Sequence, residues 1–515
     1  MEVDDVRFPT SKTLAGSDAV HKDPDYSCVY VTLHTDDPRT PRGYGLTFTL
    51  GRGNEVVKAC VRALESHVVG KDFETEIWKD MMQVKDHAGF YYRVTQDGQL
   101  RWLGPEKGVI AMASGALLNA VWDLKCRSVG KPLREYVAEM EPEELVKLID
   151  FKHIQDFVSR EDALDVLRRV RPGWQDRVKT MKTKGFRAYT TSCGWLGYPE
   201  NVVREKCRES LSKGHRYFKM KVGSSDVEDD VKRASWIREE IGDENVLMMD
   251  ANQKWGTFLS LSLVSKSNLT HVQNIRRAGV NDAIENMKRL AKFRPIWIEE
   301  PTNCDDVLGH AKIANALRDT TCGVATGEAC SNKVLFKQLL QSQAIKYCQI
   351  DSCRVSGVSE ILAILLMAAV AKVKVCPHAG GVGLCEYVRH LAMIDFVCFN
   401  PLDEEDRVCE SVIDANGYFD EPCEFRETGK DGLFYVAPKL KGYARMKPAV
   451  LRAHNFPFGH VWSKEQKGTR CRKALLQDAV GVIAQSTSTT AMAIAVIAAI
   501  GLVGFSVASK LRFMK

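Results

Sequence analysis

The feature that most constrains the fold is a series of eight short apolar segments, each followed by a stretch of helical periodicity, that begins near residue 188. Seven of them are AYTTSC, YFKMKV, VLMMDA, IWIEE, GVATGE, YCQID and VKVCPH, and the eighth lies near Val408. Eight such units in series predict a closed parallel β/α barrel, with helices such as 229–241 and 359–371 outside it. A chemical site is then expected at the carboxyl ends of the strands.

The chain before the barrel has a different pattern. Two β-rich runs, 26–35 and 45–50, precede helical patterns at 55–67, 108–125 and 133–139, and this order predicts an α+β domain. We therefore divide the chain into an α+β domain over 1–150, a barrel over 151–465 and a basic C-terminal segment over 466–515.

Ionisable residues stand where the apolar strands meet their loops. In chain order they are Lys219 with Lys221, Asp250 with Asn252, Glu299, Glu328, Asp351 and His378. One such residue is most often a cap or a surface group, but six in register around one rim are not explained in that way. Three carboxylates from neighbouring strands, Asp250, Glu299 and Glu328, are hard oxygen ligands, so the sequence predicts Mg²⁺ as the cofactor and not zinc.

The run YFKMKVG places Lys219 and Lys221 on one face of a strand, about 7 Å apart. A solvated edge strand would explain this segment alone, whereas buried lysines need compensating charge. We expect Lys219 to lower the pKa of Lys221 by like-charge repulsion, which leaves a basic fraction near pH 7. Asp351 is placed to orient His378 and stabilise its protonated form. A base, a metal and an opposed acid predict proton abstraction next to a carboxylate.

These motifs resemble those of a known family. FKMKVG, LMMDANQKW, IWIEEPT, ATGEAC, QIDSC and CPHAGGVGLCE are similar to the motif set of the mandelate racemase branch of the enolase superfamily, whose sites combine such a base with Mg²⁺. GVIAMASGALLNAVWDLKCRSVGKPL resembles the helical part of its capping domain. DVRFPTS, HKDPDYS, TQDGQLRWLGPEKGV and SCGWLGY resemble, more narrowly, a eukaryotic group of L-fuconate dehydratases, over roughly residues 5–465.

The resemblance implies a hydro-lyase that converts L-fuconate to its 2-keto-3-deoxy product, with a racemase or epimerase as the alternative. It implies Lys221 as the acid/base, His378 paired with Asp351, and the metal on Asp250, Glu299 and Glu328. The implied substrate-binding residues are Lys219, Gly16, Ser17, Asp18, Tyr26, Asn252 and Glu410. Strand alternation allows only one glutamate of IWIEEPT to face inward, and the resemblance assigns Glu299. A homo-oligomer is compatible with this family.

Two segments depart from the family pattern. The distance from Asp250 to Glu299 is 49 residues, against 23 to 29 between the other motifs, and the excess falls near 256–279. This run is either an enlarged surface loop or translated intron, and its apolar, Ser-rich composition favours the second. The other segment, 491–509, has 19 uncharged residues between basic flanks, long enough to span a bilayer. A buried or aberrant helix is the alternative there.

Charge and cysteine usage argue against a nucleic-acid-binding protein, a disulfide framework and a zinc site. The net charge of +6 resides in 466–515, where seven basic residues face one acid, so 1–465 sums to zero and has no field to gather nucleic acid. Sixteen cysteines without disulfide or zinc spacing suit a reducing compartment. MEVDDVRFPT has no signal-peptide run and is too acidic for a presequence.

We therefore expect a cytoplasmic or mitochondrial catalytic body that acts on a small acid sugar. The apolar segment 491–509 predicts a tail anchor, of the kind found in the mitochondrial outer membrane. A hypothesis of a different class is a membrane-anchored binding protein on an inactive barrel. The segments 256–279 and 491–509 favour that hypothesis, whereas the intact set of metal and acid/base residues opposes it.

Overall fold

The computed structural model describes residues 1–37, 39–82, 89–104, 106–255, 279–402, 405–412 and 415–463. Met1–Leu451 forms one compact unit and Arg452–Lys515 a second. Of the second unit the described part is 452–463, with a short helix at His460–Ser463. The predicted span 491–509 and all but the last residue of the predicted insert 256–279 lie outside the described residues. The domain boundaries near residues 150 and 465 stay predictions.

The first part of the chain is a three-stranded antiparallel sheet covered by helices. Strand β1 (Glu2–Arg7) pairs with β2 (Ser27–Leu33), and β2 pairs with β3 (Gly43–Thr49). β2 and β3 confirm the β-rich runs of the sequence, whereas β1 was not predicted because EVDDVR is short and acidic. The α-helices are α1 Asn54–Ala63, α2 Lys79–Met82, α3 Phe90–Thr95, α4 Gly108–Ser128, α5 Leu133–Glu139, α6 Pro142–Leu145, α7 Arg160–Val170 and α8 Trp174–Thr183.

The second part is the predicted β/α barrel. Its strands are β4 Phe186–Thr190, β5 Tyr217–Lys221, β6 Val246–Asp250, β7 Trp297–Glu299, β8 Gly323–Thr326, β9 Tyr347–Cys348, β10 Lys374–Val375 and β11 Cys409–Ser411. β4 to β10 pair in sequence order and in parallel, and β11 pairs with β4. The N–H of Glu410 donates to the carbonyl of Pro377 at 3.1 Å, which joins β11 to the chain after β10. All eight predicted strands are confirmed.

Helices alternate with the barrel strands. They are α9 Glu200–Ser212, α10 Val227–Ile241, α11 Val280–Leu290, α12 Val307–Ala316, α13 Lys333–Gln341, α14 Val358–Ala371 and α15 Leu384–Ile394. After β11 come a hairpin of β12 (Phe425–Glu427) and β13 (Leu433–Tyr435), and then α16 (Pro448–His454). β13 pairs antiparallel with the start of β4.

The barrel interior has an apolar layer below an ionic one. A separate cluster of buried side chains fills the lower layer, and its members are Tyr189, Tyr217, Met248, Trp297, Ala325, Tyr347, Cys376 and Val408. On β5, alternation places Lys219 and Lys221 on the same face as Tyr217, while Phe218 and Met220 pack into the main core. The apolar layer therefore forms a floor beneath the two lysines.

One helix of the described residues, Gly108–Ser128, is long and apolar enough to cross a membrane, and 89% of its most apolar stretch is buried within the protein. This helix, α4, packs on β3 of the antiparallel sheet. A Cβ atom on Gly45 of β3 would overlap the carbonyl oxygen of Ala116 in α4. The close approach of sheet and helix therefore depends on the absence of a side chain at Gly45.

Replacing Gly45 by Ala is expected to destabilise the fold by about 2 kcal/mol, the usual effect of overpacking a rigid contact. In thermal unfolding of a unit of this size this would lower Tm by about 2 °C. Gly98→Ala is the control, because a Cβ there meets nothing within 4 Å. An unchanged Tm for Gly45→Ala would contradict the close packing of α4 on β3.

Candidate active site

The ionisable residues predicted from the strand ends meet at one mouth of the barrel. Parallel register sets Lys221 beside Asp250, and Asp250 beside Glu299. Glu328 and His378 follow β8 and β10 by two and three residues. Because carboxyl ends of parallel strands share one rim, residues far apart in sequence become neighbours there.

Three carboxylates form a candidate metal centre. Asp250, Glu299 and Glu328 each present one ligand oxygen, and these atoms lie within 4.8 Å of one another. Asp250 and Glu299 are fully buried. Burial and the charge of Asp250 raise the pKa of Glu299 well above its usual value. Hard oxygens that repel one another in a buried site fit a small divalent cation, so the structure supports the predicted Mg²⁺ centre.

Lys219 is a fully buried counter-ion for this acidic site. Its Nζ lies 2.9 Å from Oε1 of Glu299, 3.0 Å from Oε1 of Glu410 and 3.6 Å from Oδ2 of Asp250. Burial acts to lower the pKa of Lys219, but the charges of Glu299 and Glu410 outweigh burial and raise it. The edge-strand explanation of YFKMKVG is therefore wrong, because β5 lies between β4 and β6.

Lys221 forms an ion pair with Asp250, and this corrects the expected direction of its pKa. Burial acts to lower that pKa, and so does the charge of Lys219, as predicted from the sequence. The Asp250 carboxylate, with Glu328 and Glu299 behind it, outweighs them and raises the pKa of Lys221. The sequence identified the lysine pair but did not show how closely Asp250 approaches Lys221.

His378 lies on the other side of the carboxylates. Its Nδ1 is 2.7 Å from Oδ2 of Asp351, and its Nε2 is 3.3 Å from Oε2 of Glu328. Burial acts to lower the pKa of His378, but the charge of Glu328 and the hydrogen bond to Asp351 raise it to about 10. The predicted pairing of Asp351 with His378 is therefore present, and the pair favours the protonated imidazole.

A cavity of about 530 Å³ opens onto this site. From the barrel it is lined by Asn252, Gln253, Glu300, Glu328, Ala329, Asp351, Cys353, Arg354 and His378. From the N-terminal part it is lined by Asp18, Val20, Phe48, Thr49, Leu50, Gly53, Val56, Val57, Val109 and Met112. The barrel wall is thus polar and carries ionisable side chains, while the wall from the N-terminal part is largely apolar.

The predicted substrate-binding residues divide into two groups. Asp18 and Asn252 line the cavity, and Glu410 accepts hydrogen bonds from Thr191 and from the N–H of Ala379. The other group builds the wall. Tyr26 is buried with its ring 5.2 Å from that of Phe48, and Gly16 leaves room for the Tyr26 hydroxyl. Ser17 accepts a hydrogen bond from the N–H of Gly197 at 3.1 Å.

Sequence reasoning missed a second glutamate at the cavity. Glu300 has φ +43°, so the backbone leaves the strand at this residue and strand alternation no longer applies. Its carboxylate accepts a hydrogen bond from Nε2 of Gln253 at 3.0 Å and lines the cavity. The prediction that only one glutamate of IWIEEPT faces inward is therefore wrong, because Glu300 faces the cavity as well. The sequence signal that could have identified Glu300 was its position directly after Glu299 at the end of the strand.

Binding of Mg²⁺ is expected to lower the pKa of His378, because the cation would share the Glu328 charge that now raises it. NMR titration of the imidazole in metal-free and Mg²⁺-loaded protein measures this directly. His215 is the internal control, since its pKa of about 4 is set by burial. An identical His378 titration in both samples would show that Glu328 does not bind the metal.

Comparison with known proteins agrees with this geometry. Residues 202–437 match the family described as enolase C-terminal domain-like. The chain is 48% identical to mitochondrial enolase superfamily member 1 of Bos taurus, over 90% of this chain and 97% of that protein. It is 42% identical to L-galactonate dehydratase of Hypocrea jecorina, over 88% of this chain and 92% of that protein. The crystal structure of human mitochondrial enolase superfamily member 1 superposes with a TM-score of 0.81 at 45% identity, covering 90% of this chain and 97% of the human one. The chain therefore belongs to the enolase superfamily, in the group of mitochondrial enolase superfamily member 1.

Proposed function

We propose that this protein is a Mg²⁺-dependent dehydratase that converts L-fuconate to 2-keto-3-deoxy-L-fuconate. The observation that carries the proposal is the position of a lysine and a histidine on two sides of one carboxylate triad. Lys221 pairs with Asp250, and His378 lies beside Glu328. A basic group and an acidic group on either side of a metal-bound acid are what the removal of water across C2 and C3 requires.

Each protein group has a defined part in the reaction. Mg²⁺ bound to Asp250, Glu299 and Glu328 would supply Lewis acidity toward the substrate carboxylate. Neutral Lys221 takes the proton from C2 through Nζ. His378, held protonated by Asp351, gives its Nε2 proton to the 3-hydroxyl, so that the C3–O bond breaks and water leaves. The enol that remains becomes the 2-keto-3-deoxy acid by protonation at C3.

The buried charges also have a part in binding. Lys219 and Glu410 lie 3.0 Å apart below the rim, where they offer a cation and an acceptor to the polar end of an acid sugar. Asp18 and Asn252 line the cavity above them and supply further hydrogen-bonding groups. The apolar wall that includes Val56, Val109 and Met112 suits the methyl group that distinguishes L-fuconate from L-galactonate.

The relatives support the reaction class. The Hypocrea jecorina relative is named for dehydration of L-galactonate, which differs from L-fuconate at C6 only. The name of the bovine relative includes the word mitochondrial, which supports a mitochondrial location for the catalytic body. Membrane attachment through 491–509 stays a prediction from the sequence.

Lys221→Ala is expected to lower kcat for L-fuconate dehydration by several powers of ten, because it removes the group that takes the C2 proton. The assay follows 2-keto-3-deoxy product from a panel of L-fuconate, L-galactonate and galactarate with Mg²⁺ present. Lys232→Ala is the control, because the Lys232 side chain is 67% exposed on α10.

Two results would contradict the proposal. Dehydration at the parental rate by Lys221→Ala would remove this lysine from the chemistry. Conversion of L-fuconate to its C2 epimer without loss of water would assign the same residues to an epimerase.

A further inference from the structure

A tryptophan lies against the lysine on which the proposed chemistry depends. Nζ of Lys221 is 5.7 Å from the centre of the Trp195 ring, which is within the range of a cation–π contact. Trp195 is 2% exposed and Lys221 6%. Such a contact gains strength where both groups are removed from water, as they are here.

The loop that carries Trp195 is fixed to the strand of the lysine pair. The carbonyl of Gly194 accepts the N–H of Lys221 at 2.9 Å, and a Cβ on Gly194 would overlap the backbone at Lys219 and Met220. The guanidinium of Arg233 donates to the carbonyl of Trp195 at 2.9 Å. The place of the indole ring is therefore set by backbone contacts around it.

The same loop is also joined to the N-terminal part of the chain. The N–H of Leu196 donates to the carbonyl of Ser17 at 3.1 Å, and the N–H of Gly197 donates to its Oγ at 3.1 Å. Trp195 thus stands between the segment that contributes Asp18 to the cavity and the β5 residue that bears the base. The backbone on either side of Trp195 is therefore hydrogen-bonded to both of these segments.

Lys221 needs a second support besides Asp250. Asp250 is its ion-pair partner and also a member of the metal triad, so a bound cation would share the charge that now holds the ammonium group. A lysine side chain has four rotatable bonds and no fixed orientation of its own. The face of the indole ring limits where Nζ can lie whether or not Asp250 is engaged by a metal.

We propose that the face of the Trp195 ring positions Nζ of Lys221 for proton transfer at C2, so that Trp195 is a positioning residue for the reaction proposed above, on which this inference rests. The indole N–H has no acceptor among the described residues. The competing role, donation from this N–H to the substrate, can be separated from the role of the ring face by substitution.

Trp195→Phe keeps an aromatic face and removes the N–H, whereas Trp195→Leu removes both. For L-fuconate dehydration we expect Trp195→Leu to lower kcat about 30-fold, with KM changed less than about 3-fold. The neutral Nζ of Lys221 becomes positively charged as it takes the C2 proton, and a loss of about 30-fold is the effect of losing a cation–π contact with that charge away from water. Trp195→Phe should keep kcat within about 3-fold of the parent. The kinetic isotope effect of deuterium at C2 on kcat should be larger for Trp195→Leu than for the parent, because misplacement of Nζ slows proton transfer.

Trp122→Leu is the matched control, since Trp122 is equally buried but lies in α4, with its N–H 3.4 Å from Oγ of Ser359. Trp122→Leu should lower Tm without a selective loss of kcat. If Trp195→Leu does not fold, Trp195→Met takes its place. An equal loss of kcat in Trp195→Phe and Trp195→Leu would assign the role to the N–H and overturn the proposal. Parental kcat in Trp195→Leu would overturn it as well.

Crystal structures of the folded variants give a readout that needs no substrate. Lys221 should keep its position in Trp195→Phe and lose it in Trp195→Leu or Trp195→Met. The same Lys221 position in all of them would overturn the positioning role. If the parent converts none of the acid sugars, the dehydratase proposal fails, and these structures still decide whether Trp195 holds the lysine.

Discussion

The ion pairs of Lys219 are the interaction on which the rest of the site depends. This buried lysine joins β5 to Glu299 on β7 and to Glu410 on β11, with Asp250 on β6 close by. Without it, four carboxylates would face one another in the mouth of the barrel. Removal of one member of a buried ion pair usually costs about 3–5 kcal/mol, because the charge left behind has no compensation. The metal centre is thus possible because a lysine already offsets part of its charge.

The ion pair of Lys219 with Glu410 connects the metal centre to two further barrel strands. The Glu410 carboxylate accepts hydrogen bonds from Thr191, after β4, and from Ala379, after β10. Burial alone would raise the pKa of Glu410, but the charges of Lys219 and His378 lower it well below its usual value. The strands that close the barrel are therefore joined by ionic contacts below the rim, above the apolar layer that contains Trp297 and Tyr347.

Much of this arrangement could be predicted from the sequence, because it depends on local patterns. Strand bounds follow apolar runs, and the residues that end those runs must lie on one rim in a parallel barrel. The metal triad, Lys221 and His378 were predicted in this way. The pKa of Lys221 was predicted in the wrong direction, since its sign depends on distances to carboxylates on other strands. Glu300, Trp195 and the apolar wall were missed because each depends on a backbone turn or on contacts between distant segments.

The same carboxylates set the protonation of both the base and the acid. Asp250 raises the pKa of Lys221, and Glu328 raises that of His378. A divalent cation on these oxygens would reduce both effects, but the consequences differ. Lys221 would become easier to deprotonate, as a base for C2 requires, while His378 would retain the hydrogen bond from Nδ1 to Asp351 that favours its protonated form. Asp351 lies outside the metal triad, so the acid has a source of stabilisation that the metal does not share, whereas the ion-pair partner of the base is itself a metal ligand. The cofactor is therefore expected to prepare the base, while Asp351 continues to stabilise the protonated form of the acid.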